Sequence, residues 1–455
     1  MSNPAESDET PITSIQQLAD YIAVGCKPAE RFRIGTEHEK FGFRHSDLTP
    51  PPYEPEGIRA LLEGMLRGAG EPILDRGNPI GIKLADLASV SLEPAGQLEL
   101  SGGPVASLHD TRAEFDTHFA EVRAAARPLG LGFAPLGFHP LATRADMPWM
   151  PKGRYAIMRR YMPLVGSRGL DMMTRTCTVQ VNLDFASETD MVRKLRVSLG
   201  LQPLATALFA NSPFTEGKPN GLLSGRAHAW LDTDNQRSGI PAVMFEDGFG
   251  FARYAEWVVD NVPMYFVYRD GIYHDVAGQS FRDFMNGRLR DFPGTVATIG
   301  DFADHMTTVF TDARLKRFLE MRGADAGTPE MMLAQSAFWV GLLYDDAALA
   351  AAESLLRGAS WADFVALRAA VPAQGLATPF RDGTLGDLAR IAVAIARDGL
   401  RARALRDADG NDESVYLAPL EAIAAGAPTQ AEYWLNRYRT VWNGDVRPIF
   451  NEAAI

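Results

Sequence analysis

"IGTEHEKFGF", residues 34–43, is the stretch on which the fold turns. Glu37 and Glu39 stand one residue apart inside an otherwise apolar run. On a strand, residues i and i+2 share a face, so both carboxylates project side by side and His38 points the other way. On a helix the two acids would lie about 200° apart and could not cooperate. Adjacent carboxylates in a cleft repel and raise each other's pKa. A divalent cation removes that conflict, because a hard ion such as Mg²⁺ takes oxygen ligands and keeps positions for phosphate oxygens. An isolated E-x-E is more often the wet face of an exposed strand, so the reading depends on its neighbours.

Those neighbours repeat the pattern. "SLEPAGQLELS" supplies Glu93 and Glu99, with Gln97 and Glu99 on one face. "TVQVNLDF" puts Gln180 and Asn182 together, and "KRFLEMRGADAGTPE" offers Glu320 and Arg322 at the same spacing. Polar pairs at i, i+2 on several apolar strands predict one sheet with a polar, acidic concave face. Cations in the loops would draw anions to it: Lys152, Arg154, Arg159, Arg160, Arg168, Arg175, Arg226, Arg237 and Arg269. Guanidinium forks match carboxylate and phosphate, although any one arginine is more often a surface ion-pair partner. Metal-binding acids with phosphate-binding bases are the parts of a phosphoryl-transfer site. No P-loop, nucleophile elbow, kinase signature or zinc-spaced Cys/His cluster is present.

The chain has 455 residues, 46% of them hydrophobic, which suffices for a sizeable core. A net charge of −12 argues against nucleic-acid or polybasic membrane binding. Cys26 and Cys177 are the two cysteines, a usage that fits a reducing compartment. The polar, acidic start "MSNPAESDETPITS" does not read as a targeting signal, and no apolar run reaches the length of a membrane span. A cytoplasmic protein is expected.

Residues 1–12 read as a disordered lead and 13–455 as one catalytic domain, strand-rich to about 270 and helical from about 300. Thr13 or Ser14, and farther on Ser187, are candidate helix caps, and Pro203 is expected to kink or divide the helix that Ser187 begins. Strands early and helices late make an α+β pattern rather than a βαβ alternation.

"IGTEHEKFGF", "SLEPAGQLELSGGP", "MPKGRYAIMRRYM", "TCTVQVNLDF", "LFANSPFTEGKPNGLLSGRAHAWLDTD", "VPMYFVYRDG" and "LEMRGADAG" together resemble the glutamate–cysteine ligases of the plant and proteobacterial type, from about residue 15 onward. The resemblance implies a glutamine-synthetase-like fold: a curved, mainly antiparallel sheet forming a funnel, with helices outside. It implies ATP- and Mg²⁺-dependent joining of the glutamate γ-carboxyl to the cysteine amine through γ-glutamyl phosphate, the first step of glutathione synthesis. The protein would be a monomer or homodimer. By analogy, Glu37, Glu39, Glu93, Glu99 and Glu320 are the metal-binding acids, and Arg322 with Glu39 acts at the reacting end. Arg226, then Arg237, is the candidate for the glutamate α-carboxylate. Gln180 stands where distant relatives place a histidine ligand, so it and Asn182 are expected at substrate. Lys152, Arg154 and Arg269 are the candidates for nucleotide phosphates. Two other readings stay open: a ligase of glutamate with a different amine, and a related phosphotransferase that forms no amide.

Overall fold

The computed structural model describes residues 8–68 and 70–455. Its centre is a nine-stranded, wholly antiparallel sheet. The strands are β1 (Ile34–Arg44), β2 (Glu71–Asp75), β3 (Asn78–Lys83), β4 (Ser89–Leu92), β5 (Leu98–Ser101), β6 (Leu131–Ala134), β7 (Thr178–Leu183), β8 (Ala313–Leu315) and β9 (Leu319–Asp325). Their order is β8-β9-β7-β1-β5-β4-β3-β2, with β6 pairing the far end of β1. β1 is therefore the hub. Its first half pairs with β5 and β7, and its second half with β6. The sheet is open, as an order with two edge strands requires.

The period of two in β1 sorts its residues as expected. His38 packs on Phe115 and Phe119 of the helix Leu108–Ala126. The helices Glu188–Leu208 and Pro329–Leu343 also pack on the sheet. Pro329–Leu343 is buried on nearly every side, which is why its sequence is apolar all round rather than striped. Glu37 and Glu39 face the other way, into a cleft roofed by the helix Gly153–Val165, residues 172–176 and the loop at 307–310.

Several expectations need correction. The chain from 300 is not helical throughout: β8 and β9 bring it back into the central sheet. The strand expected in "VPMYFVYRDG" forms, but among the described residues it pairs only with its own hairpin partner, Ile272–Asp275. The helix Glu188–Leu208 runs unbroken through Pro203. Packing along its length outweighs the ~3 kcal/mol that an interior proline costs. Of the two candidates for the first cap, Ser14 and not Thr13 caps the helix, and Ser187 caps its helix as read. Of the N-terminal lead, residues 1–7 lie outside the described residues. Residues 8–12 are held: Ile12 is buried, and Asp8, Thr10 and Ile12 hydrogen-bond to the backbone of residues 297–300. Both cysteines are free thiols, Cys177 fully buried. Among the described residues, no helix is long and apolar enough to cross a membrane.

Candidate active site

Antiparallel register turns the scattered acids into a row. Glu39 lies directly opposite Glu99, and Glu99 opposite Ser91. Glu37 lies opposite Gln180 on one side and Ser101 on the other. Directly paired residues share a face, so Glu37, Glu39 and Glu99 converge on one surface. Glu93 joins them from the β4–β5 turn, which closes through Gly96 at φ 83°, a conformation that suits glycine. The cleft above them contains about 710 Å³ of empty space. Gln180, Arg154, Arg314 and Arg322 complete its polar wall, and Met158, Met172, Met173, Trp230 and Phe310 its apolar wall.

Each acid is aimed by a neighbour. Asn182 Nδ2 donates to Glu37 Oε1 at 2.8 Å, the Thr178 amide to Glu39 Oε2 at 2.9 Å, and Ser91 Oγ to Glu99 Oε2 at 2.6 Å. Tyr155 Oη reaches Glu93 Oε1 at 3.3 Å. Burial first, then the charges of Glu93 and Glu99, pushes the Glu39 carboxyl well above its usual range. Burial also raises Glu99 to about 7, with Glu93 and Glu37 adding to the effect.

The crowded acids fit a hard divalent cation, which takes carboxylate oxygens and relieves their repulsion. They fit it as facing pairs. Among the described residues no three acids, histidines or cysteines converge closely enough to hold one ion, so phosphate oxygens and water would complete its shell.

A second chamber of about 410 Å³ adjoins the first and shares Trp230, Phe310 and Arg322 with it. Arg226, Asp312, Arg368 and Thr206 line the rest. Arg226 is buried in the helix Gly225–Ala229, and a carboxylate beneath that helix fixes its place. Asp325, at the end of β9, accepts from the Asn211 amide at 2.8 Å, Ser212 Oγ at 2.6 Å and Ser224 Oγ at 2.8 Å. Arg226 Nη2 donates to the Arg322 carbonyl at 2.7 Å, while its buried Nε has no partner.

Arg322 sits in a β-bulge. The β9–β7 register shifts between Met321 and Ala324, so Arg322 and Gly323 oppose one residue, Gln180. A bulge re-aims a side chain, and here it puts Arg322 at the border of the two chambers. Its Nη1 donates to both Gln180 Oε1 and Glu320 Oε1.

The other expected site residues are placed differently. Glu320 is fully buried and forms no part of the cleft wall. Its oxygens take ion pairs from Arg314 at 2.7 Å, Lys316 at 2.6 Å and Arg322. Despite burial, those three cations hold its carboxyl well below the usual range. Asn182 shares the face of Gln180 but does not line the cleft; it orients Glu37. Lys152 is buried behind the wall with its ammonium 5.1 Å from the Tyr155 ring, and burial lowers it to about 8. Arg237 reaches neither chamber: Asp234, Thr308 and the Pro263 carbonyl take its donors, and Tyr265 stacks on it. Arg269 forms a bidentate pair with Asp301 and lines a different surface hollow. Sequence reasoning missed Arg314, Trp230, Phe310, Asp312 and Arg368. Arg314 and Lys316 stand at i, i+2 just before the Glu320 turn, a signal hidden by reading that region as helix.

Residues 33–452 match the family model of glutamate-cysteine ligase family 2 (GCS2). The chain belongs to that family. It is 50% identical over 443 residues to the chloroplastic glutamate–cysteine ligase B of Oryza sativa subsp. japonica, covering 97% of this chain and 87% of that one. The chloroplastic glutamate–cysteine ligase of Arabidopsis thaliana is 49% identical over 438 residues, covering 96% and 82%. The crystal structure of a Francisella tularensis glutamate–cysteine ligase in complex with AMP superposes with a TM-score of 0.57 at 11% identity, over 93% of this chain and 87% of that one, which shows a shared fold. The α+β architecture implied by the resemblance, a mainly antiparallel sheet with helices packed outside, is thus borne out as the fold shared with that ligase. The expected cytoplasmic location is not: these plant relatives are chloroplastic, and the expectation is withdrawn.

Proposed function

We propose that this ATP-dependent ligase joins the γ-carboxyl of L-glutamate to the amine of L-cysteine in the two chambers that meet at Arg322. The observation that carries this reading is that Glu37, Glu39, Glu93 and Glu99 line one cleft together with Arg154 and Arg322. Acids that can hold a metal, with guanidinium groups in the same cleft, suit a metal-chelated polyphosphate.

A carboxylate does not yield its oxygen to an amine. Its γ-oxygen attacks the terminal phosphorus of ATP, ADP leaves, and the γ-glutamyl phosphate has a good leaving group. The amine then attacks the acyl carbon, phosphate departs, and the amine loses a proton. When bound, Mg²⁺ supplies charge neutralisation at the phosphates, and pairs of acids from among Glu37, Glu39, Glu93 and Glu99 would hold it, with phosphate oxygens and water as its other ligands. Arg322 presents Nε and Nη2 to the transferring phosphoryl group, since Nη1 is spent on Glu320 and Gln180. In the second chamber, the unpartnered Nε of Arg226 is suited to the glutamate α-carboxylate, leaving the γ-carboxyl toward Arg322.

The test is ADP release from Mg-ATP and glutamate with and without cysteine, with the product weighed by mass spectrometry. Cysteine-dependent ADP and a γ-glutamylcysteine mass are expected. Turnover only with another amine reassigns the acceptor, and no turnover with any amine overturns the reading.

A further inference from the structure

We infer that Arg314 and Lys316, on the edge strand β8 and the turn after it, are positioning residues that clamp Arg322 through Glu320. The clamp rests on the ligase reading only for its activity readout.

β8 is the last strand of the sheet, and Arg314 lies directly opposite Glu320 on β9. Arg314 is locked. Nη1 donates to the carbonyls of Thr307 at 2.9 Å and Val309 at 3.0 Å, and Nη2 reaches both Glu320 oxygens at 2.7 and 2.9 Å. Lys316 closes on Glu320 Oε2 at 2.6 Å and lines neither chamber. With Arg314 and Lys316 holding the carboxylate, Glu320 Oε1 becomes a fixed acceptor for Arg322 Nη1. Gln180 fixes the same nitrogen from β7, and the Asp312 carbonyl and Arg226 hold the Arg322 backbone. Nε and Nη2 of Arg322 make no hydrogen bond among the described residues, so they are what the clamp points at the cleft.

The arrangement has a chemical consequence. An arginine side chain loses much rotamer freedom when it acts on a transferring phosphoryl group. A bulge alone leaves that cost in the reaction; a buried carboxylate held by two further cations removes it beforehand. Glu320 alone would not serve, because a single buried carboxylate bound by a single guanidinium leaves lone pairs unsatisfied.

A double-substitution cycle tests this. Arg314→Met leaves Glu320 without its bidentate partner and endangers the fold, so Lys316→Met carries the test, with Lys316→Arg as the rescue. Lys316→Met is expected to lower kcat by roughly tenfold with the glutamate KM changed by less than about threefold, and Lys316→Arg to restore most of it. Added to Arg322→Lys, Lys316→Met is expected to cost little more, because the clamp acts on turnover through Arg322. The same cycle is read as affinity for a non-hydrolysable Mg-ATP analogue by calorimetry, which needs no turnover. If the wild-type protein binds the analogue but ligates no amine, the proposed function fails while the affinity cycle still decides the clamp. Unchanged kcat and affinity in Lys316→Met, or fully additive losses with Arg322→Lys, would overturn it, as would absence of analogue binding by the wild type.

Discussion

Glu99 and Glu320 belong to one sheet, are both buried, and are held in opposite states. Glu99 faces Glu39 across the β1–β5 ladder and is pushed up to about 7 by burial and by other acids. Glu320 meets Arg314, Lys316 and Arg322, and is held well below the ordinary range in spite of burial. Burial is common to both, so the charge partners decide. The acidic end of the cleft is a place for a cation to arrive. The Glu320 end already has its cations and uses them to aim an arginine.

The sharpest way to break this comparison is to remove an acid from the first end. Glu39→Gln is expected to lower kcat by roughly 10³-fold or more, with the melting temperature equal to or above that of the wild type, because a repelling carboxylate has gone. Near-normal steady-state turnover would mean that the acidic row is not at the reaction.

Next come the two arginines that the sequence offered for one role. Arg226→Lys is expected to raise the glutamate KM by roughly 10- to 100-fold, since an ammonium cannot reproduce the fork. Arg237→Met is expected to leave that KM unchanged and to cost about 3–5 kcal/mol in denaturant unfolding, because Asp234 is left as an uncompensated buried charge. If Arg237 rather than Arg226 moved KM, the second chamber would be misassigned.

The pH dependence sharpens the contrast. Glu99 binds its proton more tightly in the folded state, so with divalent ions chelated, stability falls as pH rises from the ordinary carboxylate range to about 7. Glu39 acts in the same direction. Glu320 acts oppositely: its contribution is present above the unfolded carboxylate range and is lost as pH falls through its depressed folded value. Thermal melts of chelated protein should decline between about pH 5 and pH 7, and Glu99→Gln should flatten that decline. A smaller effect belongs to Arg269→Met: its guanidinium is partly exposed and the buried Asp301 keeps its hydrogen bonds from Thr298, so a stability loss of roughly 1–3 kcal/mol and no change in turnover are expected.

Much of the acidic end was legible in the sequence, because strands have a period of two and register simply adds the rows together. Glu37 and Glu39, then Gln97 and Glu99, share a face in the sequence before any fold is known. The Glu320 end was not legible in the same way. Its E-x-R spacing was visible, but what surrounds it depends on a hairpin to Arg314 and Lys316 inside a region whose composition reads as helical. The bulge at Arg322 left no sequence mark beyond Gly323. Arg237 and Arg269 show the converse: composition cannot tell a guanidinium whose donors are all taken from one with a donor to offer.

The most direct test of the two-ended cleft is titration of Mn²⁺, with a non-hydrolysable ATP analogue present, into the wild type, Glu39→Gln and Glu320→Gln, followed by electron paramagnetic resonance of free Mn²⁺. Glu39→Gln is expected to weaken Mn²⁺ binding by roughly tenfold or more, and Glu320→Gln to leave it within about threefold of wild type. Equal loss in both variants would contradict the account, because Glu320 would then be a metal ligand like the rest.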